Sequence, residues 1–116
     1  MCKALIDGAS ETLVIPAPVL VEADYLLRRW LHAGLSLHLL DDIVNGAFEV
    51  ESVEPVDYPR IRELCARYED SDLGFVDASV VAIAERLGED KIATLDHRHF
   101  GMIRPRHIDA FRLLPE

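Results

Sequence analysis

The chain lacks any apolar run long enough to cross a membrane, and its start has no long apolar stretch of the kind that secretion signals carry. Its two cysteines, Cys2 and Cys65, do not have the spacing of a redox or metal-binding pair, so we expect free thiols. It contains no GxSxG elbow and no glycine-rich phosphate loop, which argues against nucleophilic-serine and nucleotide-binding chemistry. We therefore expect a cytoplasmic protein without a membrane partner.

Basic residues are also scarce, because 12 Lys and Arg stand against 21 Asp and Glu, for a formal net charge of -9. This balance argues against binding nucleic acid by bulk electrostatics, since phosphate binding needs cations. It does not exclude a metal-dependent nuclease, because bound divalent ions neutralise carboxylates and leave a local basic rim to meet phosphate. Arg98, Arg104 and Arg106 cluster after Asp96 and are candidates for that rim, and a solvated surface loop is the alternative.

The 116 residues suffice for one domain, which we assign to residues 1–116. Alternating strand and helix patterns predict an α/β domain with a mostly parallel sheet covered on both faces. The predicted strands are residues 13–15, 48–53, 92–95 and 111–114, the last at a sheet edge. The predicted helices are residues 18–32, 35–44, 57–68 and 77–87. Residues 2–7 are predicted to end a helix that stops at Gly8.

Three carboxylates lie at boundaries between these elements. Glu22 is one turn into its helix, Asp77 begins another, and Asp96 follows a buried strand. Each has an ordinary structural interpretation, as a helix-dipole residue, an N-cap and a turn residue respectively. However, the ends of parallel strands and the first turns of neighbouring helices share one rim of the sheet, so the three should converge. Such a cluster would repel itself without a cation, and oxygen-only ligands favour Mg²⁺ or Mn²⁺.

Other acidic residues and histidines are weaker candidates. Asp72, in the loop before the helix of Asp77, is a candidate supporting residue. Predicted solvated helix faces carry Asp24, Asp41, Asp42, Glu63 and Glu85. His97 and His99 form an HxH pair, but no cysteine lies near and the pattern is unspecific for zinc.

Three segments occur in a set order along the chain: IPAPVLVE at residues 15–22, LGFVDAS at 73–79 and TLD at 94–96. Together they resemble the PIN-domain ribonucleases, in particular the VapC toxins of bacterial toxin–antitoxin pairs. The resemblance implies a three-layer α/β/α domain, Mg²⁺ or Mn²⁺ in an acidic cluster, and endonucleolytic cleavage of RNA. It also implies a VapB-like antitoxin that blocks the site, and a homodimer. Glu22, Asp77 and Asp96 match three of the family's acidic residues. Since the resemblance implies an RNA substrate, the basic cluster of Arg98, Arg104 and Arg106 is a candidate RNA contact.

The family's first strand, which usually lies in mid-sheet and ends in an aspartate, has no counterpart here, so we expect an N-terminally truncated PIN-like domain. Asp7 cannot replace that aspartate in the usual topology, because a parallel crossover from it to the strand at Leu13 needs about a dozen residues or more. Either the chain comes from a truncated or misassigned reading frame, or another segment fills the gap. A missing central strand would leave unpaired backbone groups on the two strands beside it.

We therefore expect a Mg²⁺- or Mn²⁺-dependent endoribonuclease toxin of the VapBC type. The first alternative is a catalytically degenerate PIN domain that binds an antitoxin or RNA. A phosphoryl-accepting receiver is the other alternative, but it needs an aspartate after a central strand, and none can be placed.

Overall fold

The computed structural model describes residues 4–6, 13–93, 100–101, 103–108 and 110–114. A five-stranded sheet is formed by β1 Ala4–Ile6, β2 Leu13–Pro16, β3 Phe48–Glu51, β4 Lys91–Ala93 and β5 Arg112–Leu114. The α-helices are α1 Ala17–Trp30, α2 Ala33–Val44, α3 Tyr58–Arg67 and α4 Phe75–Leu87. Short 3₁₀ turns at Pro55–Asp57 and Glu69–Ser71 flank α3. In these ranges no helix has both the length and the apolarity that a membrane span requires.

The strand order across the sheet is β3-β2-β1-β4-β5. β2 pairs with β3 in parallel, and so does β4 with β5, which lies at an edge as predicted. β1 lies between β2 and β4 and runs antiparallel to both, with Leu5 opposite Val14 on one side and Ile92 on the other. The predicted α/β fold is confirmed, and its central strand runs against the direction of its neighbours.

The prediction that residues 2–7 end a helix is wrong where the structure describes them, because Ala4–Ile6 is a strand. Its middle residue, Leu5, is fully buried, and its pairing satisfies backbone groups of β2 and β4 that would otherwise be unpaired in the core. A short connection can join antiparallel strands, whereas a parallel crossover cannot be that short. Another segment therefore does fill the gap, and it fills it in the reverse direction.

Helix α4 forms the centre of the core. Its residues from Ala78 to Ala84 are all buried, and the helix packs against α1, α3, β1 and β2. It ends at Gly88, whose φ of +70° lies in the left-handed region that glycine tolerates best. The predicted helices agree with α1 to α4 apart from one or two residues at their ends.

Candidate functional site

The amino ends of α1 and α4 lie at one rim of the sheet. Helix α1 begins at Ala17, directly after the carboxyl end of β2. β4 has the same direction as β2, because both run antiparallel to β1, and α4 leads back into β4. The first turn of α4 therefore lies near the carboxyl ends of these strands, where α1 begins, and the two helices pack against each other. The elements that carry Glu22 and Asp77 thus meet at this rim.

A groove of about 450 Å³ lies where these two helices meet, and we call it the apolar groove. Glu22 directly follows a lining residue of α1, and Asp77 directly follows one of α4. Since consecutive Cα atoms are about 3.8 Å apart, the backbone at Glu22 and at Asp77 lies next to the residues that line this groove. Both side chains are half-buried. The apolar groove is lined by Ala17, Pro18, Val21, Val53, Tyr58, Phe75 and Val76.

Asp77 is the third residue of α4, and the cap position before the helix is taken by Gly74. The interpretation of Asp77 as an N-cap is therefore wrong. Unpaired amide groups at a helix amino end favour a negative charge there, so the position suits a carboxylate. The buried run that follows, from Ala78 to Ala84, anchors the helix and with it the side chain of Asp77.

Two of the predicted site residues, Asp96 and Arg98, lie outside the described residues. Asp96 follows Ala93, the last residue of β4, by three positions in the sequence. Asp72 is exposed in the loop before α4, with a φ of 59°. Within the described ranges, no three His, Cys, Asp or Glu side chains form a group that could hold a metal.

Two of the basic residues predicted to contact phosphate, Arg104 and Arg106, are engaged within the protein. Arg106 forms two hydrogen bonds of 2.9 Å with Glu63, and its backbone N–H donates to Glu85. Glu85 is eight positions beyond Asp77 on α4, which corresponds to about 12 Å along the helix. Arg104 donates to backbone carbonyls close to it in the sequence. Arg106 therefore lies toward the opposite end of α4 from Asp77.

A buried ion pair joins α3 to this end of α4. Arg60 donates from Nε and Nη2 to the two carboxylate oxygens of Glu85, at 2.8 Å each, and also bonds Glu63. Glu85 raises the pKa of Arg60 above its ordinary value. Burial opposes ionisation of Glu63, but Arg106 and Arg60 together lower its pKa. The prediction that Glu85 lies on a solvated face is wrong, because its side chain is only 10% exposed.

A second cluster of ion pairs fastens the last turn of α4 to β3. Arg86 donates to both carboxylate oxygens of Asp57, to Glu51 at 2.8 Å, and to the backbone carbonyl of Ser52. Asp57 is almost fully buried, and its hydrogen bonds raise the pKa of Arg86. These partners are separated by 29 to 35 positions along the chain, so no local spacing in the sequence predicts them. The clusters hold the carboxyl end of α4 while its amino end carries Asp77.

Comparison with known proteins gives two findings. A family model described as PIN domain matches residues 2–103. Ribonuclease VapC26 of Mycobacterium tuberculosis is 30% identical over 110 residues, which make up 95% of this chain and 82% of that protein. The match to the family model includes Glu22, Asp77 and every residue of the apolar groove.

Proposed function

This chain belongs to the PIN domain family, and we propose that it is a Mg²⁺- or Mn²⁺-dependent endoribonuclease toxin of the VapBC type, which hydrolyses phosphodiester bonds of RNA. The similarity to a VapC ribonuclease over most of both chains supports this activity. The structural observation that supports the proposal is that the amino-terminal turns of α1 and α4, which carry Glu22 and Asp77, meet at one rim of the sheet beside the apolar groove.

The donor set fits a hard divalent cation. Glu22 and Asp77 would hold the ion together with Asp96, and Asp72 would support the site from the loop before α4. All four are carboxylates, the ligands that Mg²⁺ and Mn²⁺ prefer. When bound, the ion would supply a Lewis acid and a water activated at neutral pH. The chain's own contribution is to fix Asp77 in the first turn of a buried helix, where the helix dipole favours its charge.

We propose that Arg98, Arg104 and Arg106 contact RNA phosphates. For Arg106 this requires an exchange of its ion pair with Glu63 for a phosphate. The side chains of Arg106 and Glu63 are 61% and 48% exposed, and exposed pairs of this kind contribute about 0–1 kcal/mol, so the exchange costs little.

We further propose a cytoplasmic protein with a VapB-like antitoxin and a second copy of the chain as partners. Large exposed apolar side chains on α2 support protein partners, because soluble monomers rarely leave such patches uncovered. Leu37 is 59% exposed and Leu40 is 44% exposed.

A second candidate function is a catalytically degenerate PIN domain that binds an antitoxin or RNA without cleaving it. The reversed direction of β1 favours this candidate. Ile6, the last residue of β1, pairs with Leu13, the first residue of β2. β1 therefore ends beside the amino end of β2, whereas the rim of Glu22 and Asp77 lies at the carboxyl end of β2. This central strand does not deliver a fourth carboxylate to the rim.

RNA cleavage by the Asp77→Asn variant tests the proposal. Loss of a residue that supports a metal ligand typically costs about 10–100-fold, so loss of a ligand should reduce Mg²⁺-dependent cleavage at least that much. Asp41→Asn is the matched control, because it removes one carboxylate from an exposed position on α2. Cleavage is followed as new 5′ ends in total cellular RNA. An Asp77→Asn protein that cleaves like the wild type would contradict the proposal.

A further inference from the structure

We infer that the apolar groove binds an unpaired RNA base, stacked against the rings of Tyr58 and Phe75. This inference rests on the proposed function, to which it adds a subsite for the substrate. Single-stranded RNA is commonly bound by stacking its bases on Phe and Tyr side chains.

The two rings offer the surface that such a base needs. Tyr58 begins α3 and Phe75 begins α4, and their ring centroids are 6.3 Å apart with an angle of 27° between the planes. Tyr58 is 52% exposed and Phe75 is 45% exposed, so both remain accessible to a ligand. The volume of about 450 Å³ lies within the range of about 300–1,000 Å³ that small-molecule sites occupy. The groove therefore has room for a planar base beside an aromatic pair.

The position of the groove matches the chemistry of a nucleotide. Glu22 and Asp77 directly follow two lining residues, Val21 and Val76, and the proposed reaction would hold a phosphodiester at these two acids. In RNA the base is joined through the ribose to that same phosphodiester group. A strand whose phosphate lies at the rim would thus bring a neighbouring base to the apolar groove.

The charge of the protein also favours a base as the occupant. The chain carries a formal net charge of -9, and Arg60, Arg86 and Arg106 are each paired with carboxylates. The lining of the groove has no charged side chain. Stacking provides about 1–3 kcal/mol per base without any charge, so it suits this uncharged lining.

Leucine substitutions show whether the groove binds an RNA base or a segment of a protein. Tyr58→Leu and Phe75→Leu keep apolar area for a peptide side chain but remove the flat ring that a base stacks on. Trp30→Leu is the matched control, because it removes an exposed aromatic ring from α1 outside the groove. Tyr58→Phe keeps the ring and should behave like the wild type.

Binding is measured by fluorescence polarisation of a labelled single-stranded RNA in Ca²⁺, and cleavage of the same RNA in Mg²⁺. We expect each leucine variant at the groove to raise Kd about 5- to 100-fold, which corresponds to the loss of one stacked base. Trp30→Leu should leave Kd unchanged. Groove variants that bind RNA like the wild type would overturn the inference, even if they bind an antitoxin peptide less well.

A series of RNAs with one abasic ribose at each position tests the same subsite with the unaltered protein. One abasic position should weaken binding by the wild type and have no effect on Phe75→Leu. If every abasic RNA binds like the parent RNA, the inference is wrong. Ring-dependent binding without cleavage would contradict the proposed function and support the subsite, whereas cleavage with a ring-independent Kd would contradict the subsite alone.

Discussion

Arg60 donates two hydrogen bonds to Glu85, and both side chains are about nine-tenths buried, at 8% and 10% exposure. The pair joins α3 to the carboxyl-terminal half of α4. Because α4 also carries Asp77 in its first turn, this pair helps to fix the helix on which the proposed site depends.

We expect Glu85→Ala to lower the free energy of unfolding by about 3 kcal/mol, because it leaves the Arg60 guanidinium buried without its main partner. Glu63→Ala removes a half-exposed carboxylate from the same arginine and should cost less than about 1 kcal/mol. Urea unfolding at neutral pH measures both values. Equal losses for the two variants would contradict the assignment of Glu85 as the buried partner.

Replacement of Leu5 tests whether β1 is part of the folded core. Leu5 is fully buried between β2 and β4, so Leu5→Ala should lower the free energy of unfolding by about 2–5 kcal/mol. Val44→Ala, at an exposed position of α2, should change it by less than about 0.5 kcal/mol. Thermal unfolding gives the comparison. If Leu5→Ala is as mild as Val44→Ala, β1 does not occupy the centre of the sheet.

The stability of the α1–α2 contact should depend on acid pH through Asp24. The Ser36 hydroxyl, and then Arg28, hydrogen-bond the Asp24 carboxylate and lower its pKa below the usual 3.8. Because the pKa of Asp24 is lower in the folded state, the ionised carboxylate stabilises the fold at pH values above 3.8. This stabilisation is lost as the pH falls through the lowered pKa of the folded state. The Asp24 side chain is 46% exposed, so it lies on a solvated face as predicted, and it also hydrogen-bonds Ser36 of α2.

We expect Ser36→Ala to raise the pKa of Asp24 toward its usual value, because the first of these hydrogen bonds disappears. Ser52→Ala, at an exposed position, is the control and should leave it unchanged. The Asp24 carboxyl can be titrated by NMR in both proteins. An Asp24 that titrates at the same pH in Ser36→Ala and in the wild type would show that the hydroxyl has no such effect.

Asp72 has a φ of 59°, in the left-handed region where the backbone of residues other than glycine is strained. We expect Asp72→Ala to lower the free energy of unfolding by about 1 kcal/mol, and Asp72→Gly to retain or increase it. Both variants lose the carboxylate, so the difference between them isolates the backbone effect. Denaturant unfolding that shows no difference would contradict a left-handed residue at this position.

Much of the fold could be predicted from local patterns. The apolar run from Ala78 to Ala84 and the glycine at residue 88 indicated α4 and its end, and α1 followed from helical spacing after Pro18. The pairing of Arg60 with Glu85 could not be predicted, because the two are 25 positions apart and meet only when α3 packs on α4. The sequence pattern also predicted that α4 begins at Asp77, whereas the helix begins two positions earlier, at Phe75.

Strand β1 was missed for a different reason. Three residues, Ala4–Ile6, are too few to show a period of either a helix or a strand. Its identity depends on distant partners, β2 and β4, whose inner edges need backbone hydrogen bonds. The short distance along the chain to Leu13 already excluded a parallel crossover, and the same constraint permits the antiparallel pairing that the structure shows.

Calorimetric titration with Mn²⁺ tests the central claim most directly, because it needs no knowledge of the RNA target. We predict that the folded wild-type chain binds Mn²⁺, that Asp77→Asn and Glu22→Gln each weaken this binding at least about 10-fold, and that Asp41→Asn binds like the wild type. A folded wild-type chain that binds no Mn²⁺, or an Asp77→Asn protein that binds it equally well, would contradict a metal site at the rim shared by α1 and α4.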